Sequence, residues 1–142
     1  MKIENWAKEF LGKSRLAHLA TSSKHGKPHV VPVCYVYDGV SIYSPIDEKP
    51  KRTNPKQLRR VLNISENPYV SMVVDQYEED WSKLRYVLVQ GSARIVHEGD
   101  EYRRAVSLLR EKYPQYGAMQ LEDRPVIKIE PVKVAAWSTR SI

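Results

Sequence analysis

Val30-Val31-Pro32-Val33-Cys34-Tyr35-Val36-Tyr37 is the stretch that decides the fold. Both alternating sets of residues in it are apolar, the pattern of a strand buried on two faces. Asp38-Gly39 follows, a dipeptide favoured in tight hairpin turns, and Val40 to Tyr43 reads as the returning strand. Upstream, Arg15-Leu16-Ala17-His18-Leu19-Ala20-Thr21 reads as a first strand, joined to the second by the turn Lys24-His25-Gly26-Lys27-Pro28. Before it, Ile3, Trp6, Phe10 and Leu11 recur at helical spacing.

Downstream the chain alternates between strand and helix signals. Asn54 suits an N-cap and Pro55 a first helical residue, so a helix is expected to begin there. It would place Leu58, Val61, Leu62 and Ser65 on its apolar face, with Arg59, Arg60, Asn63 and Glu66 elsewhere, and would stop at Asn67-Pro68. Tyr69 to Asp75 is a fourth strand, followed by an acidic loop, Glu78-Glu79-Asp80, that ends at Trp81. Leu84 to Val96 is long and β-rich, and Gly91 within it marks a bulge or bend. Asp100 caps a helix carrying Tyr102, Ala105, Val106 and Leu109 and closing near Pro114; Val126 to Trp137 is the last strand. The expectation is a mainly β chain with peripheral helices: about six antiparallel strands in a barrel with helices at its rim, forming a single domain over residues 1–142.

Composition narrows the function. A hydrophobic share of 42% and a charged share of 28% are those of a soluble globular protein. The net charge of +6 suits nucleic acid, but also any phosphate-bearing cofactor. One cysteine, Cys34, precludes an internal disulfide and favours a reducing compartment. With no signal peptide and no apolar run near the ~20 residues that a bilayer demands, the expected location is the cytoplasm.

The chemistry-bearing stretch is Ser44 to Arg60. Six cations fall between Lys49 and Arg60. A charge run is most often a solvated helix face. Here the cations Lys49, Lys51 and Arg52 precede the Asn-Pro cap, where free backbone N–H groups and the positive end of the helix dipole would meet them. Such a convergence suits a phosphate or a string of carboxylates, and so a cofactor with an anionic tail. Tyr43, Ser44 and Trp81 are candidate walls for a flat ring, core filling being the plain alternative for each.

Other motifs are missing. No two glycines form a Gly-x-Gly pair, which removes the dinucleotide fingerprint, and no Walker loop is present. His18, His25, His29 and His97 lack metal-ligand spacing, so no metal is expected. Cys34 lies in the most apolar strand and reads as a small core residue.

Several of these stretches together resemble the pyridoxamine-phosphate-oxidase-like split β-barrels. The resemblance is carried by Arg15 to Thr21, Gly26 to Val33, Asp47 to Arg52, Asn63 to Pro68, Asp75 to Trp81 and Lys112 to Tyr116, and runs from about Arg15 to Trp137. The later pieces are similar to the branch that uses the deazaflavin coenzyme F420 rather than FMN. The resemblance implies a homodimer of split barrels with the cofactor in a groove at the subunit interface. It would put Lys49, Lys51 and Arg52 on the phosphate or polyglutamate tail, and Pro32, Val33, Tyr43 and Ser44 beside the ring system. It implies hydride transfer to a small acceptor such as a quinone or unsaturated carbonyl, with a proton from Tyr43, His29 or water. Two departures stand out. Arg85-Tyr86 follows Leu84 where the family often has a tryptophan pair and an arginine, and the Arg-Leu-x-Pro tail of true pyridoxamine phosphate oxidases is missing. The alternatives are an FMN enzyme of the same fold, a non-catalytic flavin or deazaflavin carrier, and, ranked last, a nucleic-acid-binding β-barrel.

Overall fold

The computed structural model describes residues 2–46, 58–119, 121 and 124–139. Its centre is one antiparallel sheet of seven strands in the order β2-β1-β5-β6-β7-β4-β3. The expected strand through residues 30–37 is in fact two. β2 (Pro28–Val33) pairs with β1 (Ala17–Ser22) at one edge of the sheet, and β3 (Val36–Tyr37) pairs with β4 (Ile42–Pro45) at the other. Between them Tyr35 turns fully inward. Its N–H donates to the Tyr113 hydroxyl at 3.2 Å and its own hydroxyl to the Leu11 carbonyl. That anchored residue ends one pairing and starts the next, which splits the barrel and brings the strand count above six.

The turn after β3 is shifted by one residue: the Asp38 N–H donates to the Ser41 carbonyl at 3.1 Å, so its tip is Gly39-Val40 rather than Asp38-Gly39. Asp38 Oδ1 accepts the N–H groups of Val40 and Ser41 at 2.9 and 2.7 Å, and Gly39 takes a φ of 95°. Val40 therefore lies in the turn rather than in the returning strand.

The longest ribbon is β6 (Arg85–Val96) against β7 (Val126–Ser138), flanked by β5 (Tyr69–Gln76). The bulge expected at Gly91 is present as a register shift between Gln90 and Gly91. A Cβ at Gly91 would sit 2.3 Å from the Glu130 carbonyl oxygen, so only glycine lets the two backbones approach this closely.

Among the described residues, three α-helices cover the sheet. α1 (Asn5–Lys13) buries Ala7, Phe10 and Leu11. α2 is Arg59–Glu66, preceded by Leu58 in an extended conformation, so the helix opens later than the Asn54-Pro55 signal suggested; residues 47–57, with that signal, lie outside the described residues. Its buried face is Val61, Asn63 and Ile64 rather than the Leu58-Val61-Leu62-Ser65 stripe. A polar residue is tolerated there because Asn63 Nδ2 donates to the Thr21 hydroxyl at 3.0 Å. α3 (Asp100–Lys112) is capped by Gly99, so Asp100 is its first helical residue instead of its cap. Asp100 and Glu101 still place negative charge at the positive end of the helix dipole.

Two apolar clusters hold these pieces. The larger one joins α1 and α2 to the inner face of the sheet through Phe10, Leu11, Leu19, Met72, Val89 and Ile64. The second lies beneath α3, where Val106, Leu109, Tyr43, Tyr116 and Val126 meet. No helix among the described residues is long and apolar enough to cross a membrane.

Candidate functional site

Residues directly opposite in an antiparallel pair share a face, and alternate residues of a strand face opposite ways. His18 lies opposite both Pro32 and Val73, Val73 opposite Leu88, and Leu88 opposite Ala135. The next row is Val30, Ala20, Ser71, Gln90 and Lys133. These rows form the face of the sheet turned away from α1 and α2, and they carry much apolar surface. Val30, Tyr69 and Val132 are 63%, 76% and 71% exposed. A solvated face of an antiparallel sheet is normally polar. This one is not, and contiguous apolar surface of this kind marks a contact site.

A shallow groove of about 410 Å³ runs along that face, lined by Tyr69, Ser71, Gln90, Ser92 and Val132 with Thr21 at its side. It combines one large aromatic and an aliphatic wall with hydroxyl and amide groups, the lining that orients a flat, polar-edged ring. Sequence reasoning passed over these residues. The signal was present in the strands that are apolar on both alternating sets, such as Val30 against Val31 and Val73 against Val74.

The residues singled out in the sequence scatter. Pro32 is exposed on the outer face, whereas its neighbour Val33 points into the core opposite Ala17. Tyr43 is buried under α3, its hydroxyl donating to Glu101 Oε2 at 2.9 Å. Ser44 is fully buried and donates to the Cys34 carbonyl at 2.8 Å, which ties β4 to the end of β2. Trp81 stands exposed in a 3-10 turn beyond β5, its indole N–H 3.4 Å from the Tyr77 hydroxyl. Lys49, Lys51 and Arg52 lie outside the described residues. The structure therefore brings Val33 and Ser44 together through Cys34, but seats their side chains in the interior; Trp81 is not with them.

Several charged groups beneath α3 and along β6 are engaged with one another. Glu101 receives Lys128 Nζ at 2.5 Å and Arg94 Nη2 at 2.7 Å, besides the Tyr43 hydroxyl. The Lys128 ammonium leads, with Arg94 and Tyr43 behind it, in holding the Glu101 carboxyl down to about 2. Burial, reinforced by Glu101, pushes the Tyr43 phenol upward, so Tyr43 is a fixed donor to one carboxylate. Arg85 is likewise engaged: its guanidinium donates to Gln76 Oε1 at 3.1 and 2.9 Å and stacks 4.1 Å from the centre of the Phe10 ring. Among the described residues no grouping of three or more His, Cys, Asp or Glu side chains could hold a metal.

Comparison with known proteins agrees with this architecture. The sequence profile described as Pyridoxamine 5'-phosphate oxidase matches residues 3–138. Among solved structures, a conserved hypothetical protein of Mycobacterium tuberculosis, Rv2991, superposes with a TM-score of 0.78 at 24% identity, over 99% of this chain and 87% of that one. The heme storage protein HutZ of Vibrio cholerae does so with a TM-score of 0.74 at 19% identity, over 97% and 95%. A structure described as an F420 reductase gives a TM-score of 0.66 at 22% identity, over 94% and 98%. No curated protein shows significant similarity. With a family pattern matched along nearly the whole chain and a sheet split at Tyr35, the chain belongs to the pyridoxamine 5'-phosphate oxidase family of flavin-binding split β-barrels.

Proposed function

We infer that this protein is an oxidoreductase that transfers a hydride between reduced coenzyme F420 and a small acceptor such as a quinone or an unsaturated carbonyl. The observation that carries this reading is the apolar outer sheet face with its groove, in a chain of a flavin-binding family. The lining fits a deazaflavin or flavin ring. Tyr69 and Val132 supply apolar surface, while Ser71, Gln90 and Ser92 supply donors and acceptors for a ring edge. Pro32 borders the same face, whereas Trp81 stands exposed beyond the far end of β5. Val33, Tyr43 and Ser44 act by shaping the strands beneath. The cofactor supplies the hydride chemistry; the protein binds, orients and excludes water.

A second copy of the chain covers the outer face, which makes the groove an interface cleft in a homodimer. Lys49, Lys51 and Arg52 serve the anionic tail. Lys51→Ala and Arg52→Ala should each weaken cofactor binding by about 1.5–3 kcal/mol, roughly tenfold or more, in an equilibrium titration. Parallel titration with coenzyme F420 and FMN tests the whole reading. Binding of F420 in preference to FMN supports it, preference for FMN transfers the site to the alternative cofactor, and failure to bind either overturns it.

Among the described residues the groove lining carries no His, Asp, Glu, Lys or Arg side chain, so it offers no acid–base pair of its own. The same feature favours a carrier as the second reading. Turnover of a quinone with reduced cofactor in excess separates an enzyme from a carrier.

A further inference from the structure

The inner face of the sheet, opposite the groove, opens at the end where β5 stops and β6 starts. Gln76 of β5 is registered against Arg85 of β6, and Arg85 against Ser138 of β7. These three alternate with the outer row Asp75, Tyr86 and Trp137, so they face the side that α1 covers. A cavity of about 560 Å³ lies there. Glu4 and Trp6 line it from α1 and the residue before it, and Gln76, Lys83, Leu84 and Arg85 from the sheet and the 3-10 turn Trp81–Lys83.

Arg85 is the group around which the cavity is built. Its Nε and Nη2 both donate to Gln76 Oε1, at 3.1 and 2.9 Å, while the Phe10 ring lies 4.1 Å away beneath the guanidinium. Gln76 is fixed in its turn, because its Nε2 donates to the Lys83 carbonyl at 2.9 Å and to Glu78 Oε2 at 2.8 Å. The guanidinium is therefore held in place before any ligand arrives, which lowers the cost of binding one. Its terminal edge, Nη1 with the second Nη2 hydrogen, has no partner among the described residues. That edge presents two parallel N–H groups at the spacing of a carboxylate's two oxygens.

The other side chains narrow the ligand. Lys83 is exposed and, like Arg85, forms no ion pair with a described residue. Glu4 is the one carboxylate among the described lining residues, and it accepts the Trp6 indole N–H at 2.9 Å. The carboxylates nearby are engaged, Glu9 with Lys13 at 2.7 Å and Glu78 with Gln76. Two cations against one carboxylate leave a single positive charge on the lining, which suits a carboxylate better than the nearly double charge of a phosphate group. With its N–H committed to Glu4, the half-buried Trp6 meets the cavity as flat apolar surface, and Leu84 extends it.

We propose that this cavity binds a small carboxylate with a flat apolar body, its two oxygens on the terminal edge of Arg85 and its body against Trp6. The site lies across the sheet from the groove and does not rest on the hydride-transfer reading.

The test follows the Trp6 indole N–H in proton–nitrogen correlation spectra of the full chain, assigned by its disappearance in Trp6→Phe, as phenylacetate is added. The signal should move and saturate. Arg85→Gln should weaken binding about tenfold or more, through loss of the charge-assisted pair. Lys83→Gln, an exposed position, should weaken it about threefold and serves as the readout if Arg85→Gln does not fold. Lys24→Gln, the same charge change in the β1–β2 turn, should leave it unaltered. A Trp6 signal that stays still in wild type overturns the proposal, as does wild-type affinity in folded Arg85→Gln or, failing that variant, in Lys83→Gln. Tighter binding of phenyl phosphate than of phenylacetate overturns it too. With F420 or FMN added to saturation, phenylacetate should bind as before, and its displacement would put it in the groove and overturn the assignment. Failure of both cofactors to bind would remove the hydride-transfer reading and leave this site standing.

Discussion

Single residues set hard limits in this protein. Gly91→Ala would drive a methyl group into the Glu130 carbonyl in the middle of the longest ribbon, where neither backbone can retreat. A loss of about 1–3 kcal/mol is expected in urea unfolding, with the fold retained. Lys112 sits where burial, helped by the Arg15 charge, brings its ammonium down to about 8. It is held there by the Ser14 carbonyl at 2.6 Å and the Tyr35 ring at 4.1 Å. The folded state thus releases this proton more readily than the unfolded state does. Stability relative to a Lys112→Met variant should therefore rise as pH climbs from about 8 to about 10.5, as read by denaturant unfolding at each pH. The Gly91 bulge was legible from a glycine inside a β-rich run. Asn63 was not, because an asparagine at a helix position reads as solvent-facing until a partner such as Thr21 is visible across the sheet.

Elements were legible where their own periodicity settled them. α1, β5, β6, α3 and β7 all fall near their expected positions because stripe or alternation, plus a glycine or proline, defined each. Residues 30–37 misled, since eight apolar residues look the same whether they make one buried strand or two half-strands divided by Tyr35. The contact that divides them comes from Tyr113, 78 residues away, and no local pattern reports it. α3 is docked by charge as well as by its apolar face: Glu101 reaches Lys128 of β7 and Arg94 of β6, and Arg104 reaches Asp38 at 2.8 Å. Although burial opposes it, N–H bonds from Ser41 and Val40 and the Arg104 guanidinium hold the Asp38 carboxyl below its usual range. A carboxyl lowered in the folded state stabilises above its unfolded value and loses that contribution as the pH drops. Glu101→Gln should therefore be less stable than wild type at pH 7, and the gap should close between about 4.5 and about 2, as thermal unfolding across that range would show.

At the scale of the molecule, the split barrel was legible through the succession of antiparallel strand signals, turn chemistry and family-like stretches, although the count of about six strands fell one short, whereas the groove was not. Sequence attention went to the cations at 49–52, while the outer face is made by side chains from five strands that come together only after folding. If that face pairs two copies, Val30→Asp with Tyr69→Asp should convert a dimer into a folded monomer, seen by sedimentation with an unchanged circular dichroism spectrum. A dimer unaffected by both charges would move the interface elsewhere. The place of β7 carries one more consequence. It is the last of the described strands in chain order, yet it lies between β6 and β4 and pairs Ile129 with Ile42. During synthesis the β3–β4 hairpin must therefore wait, with its edge unpaired, until β7 leaves the ribosome, while β1, β2, β5 and β6 can already assemble. Any pause in translation before residue 126 would prolong the life of a half-built sheet open to pairing with its neighbours on the polysome.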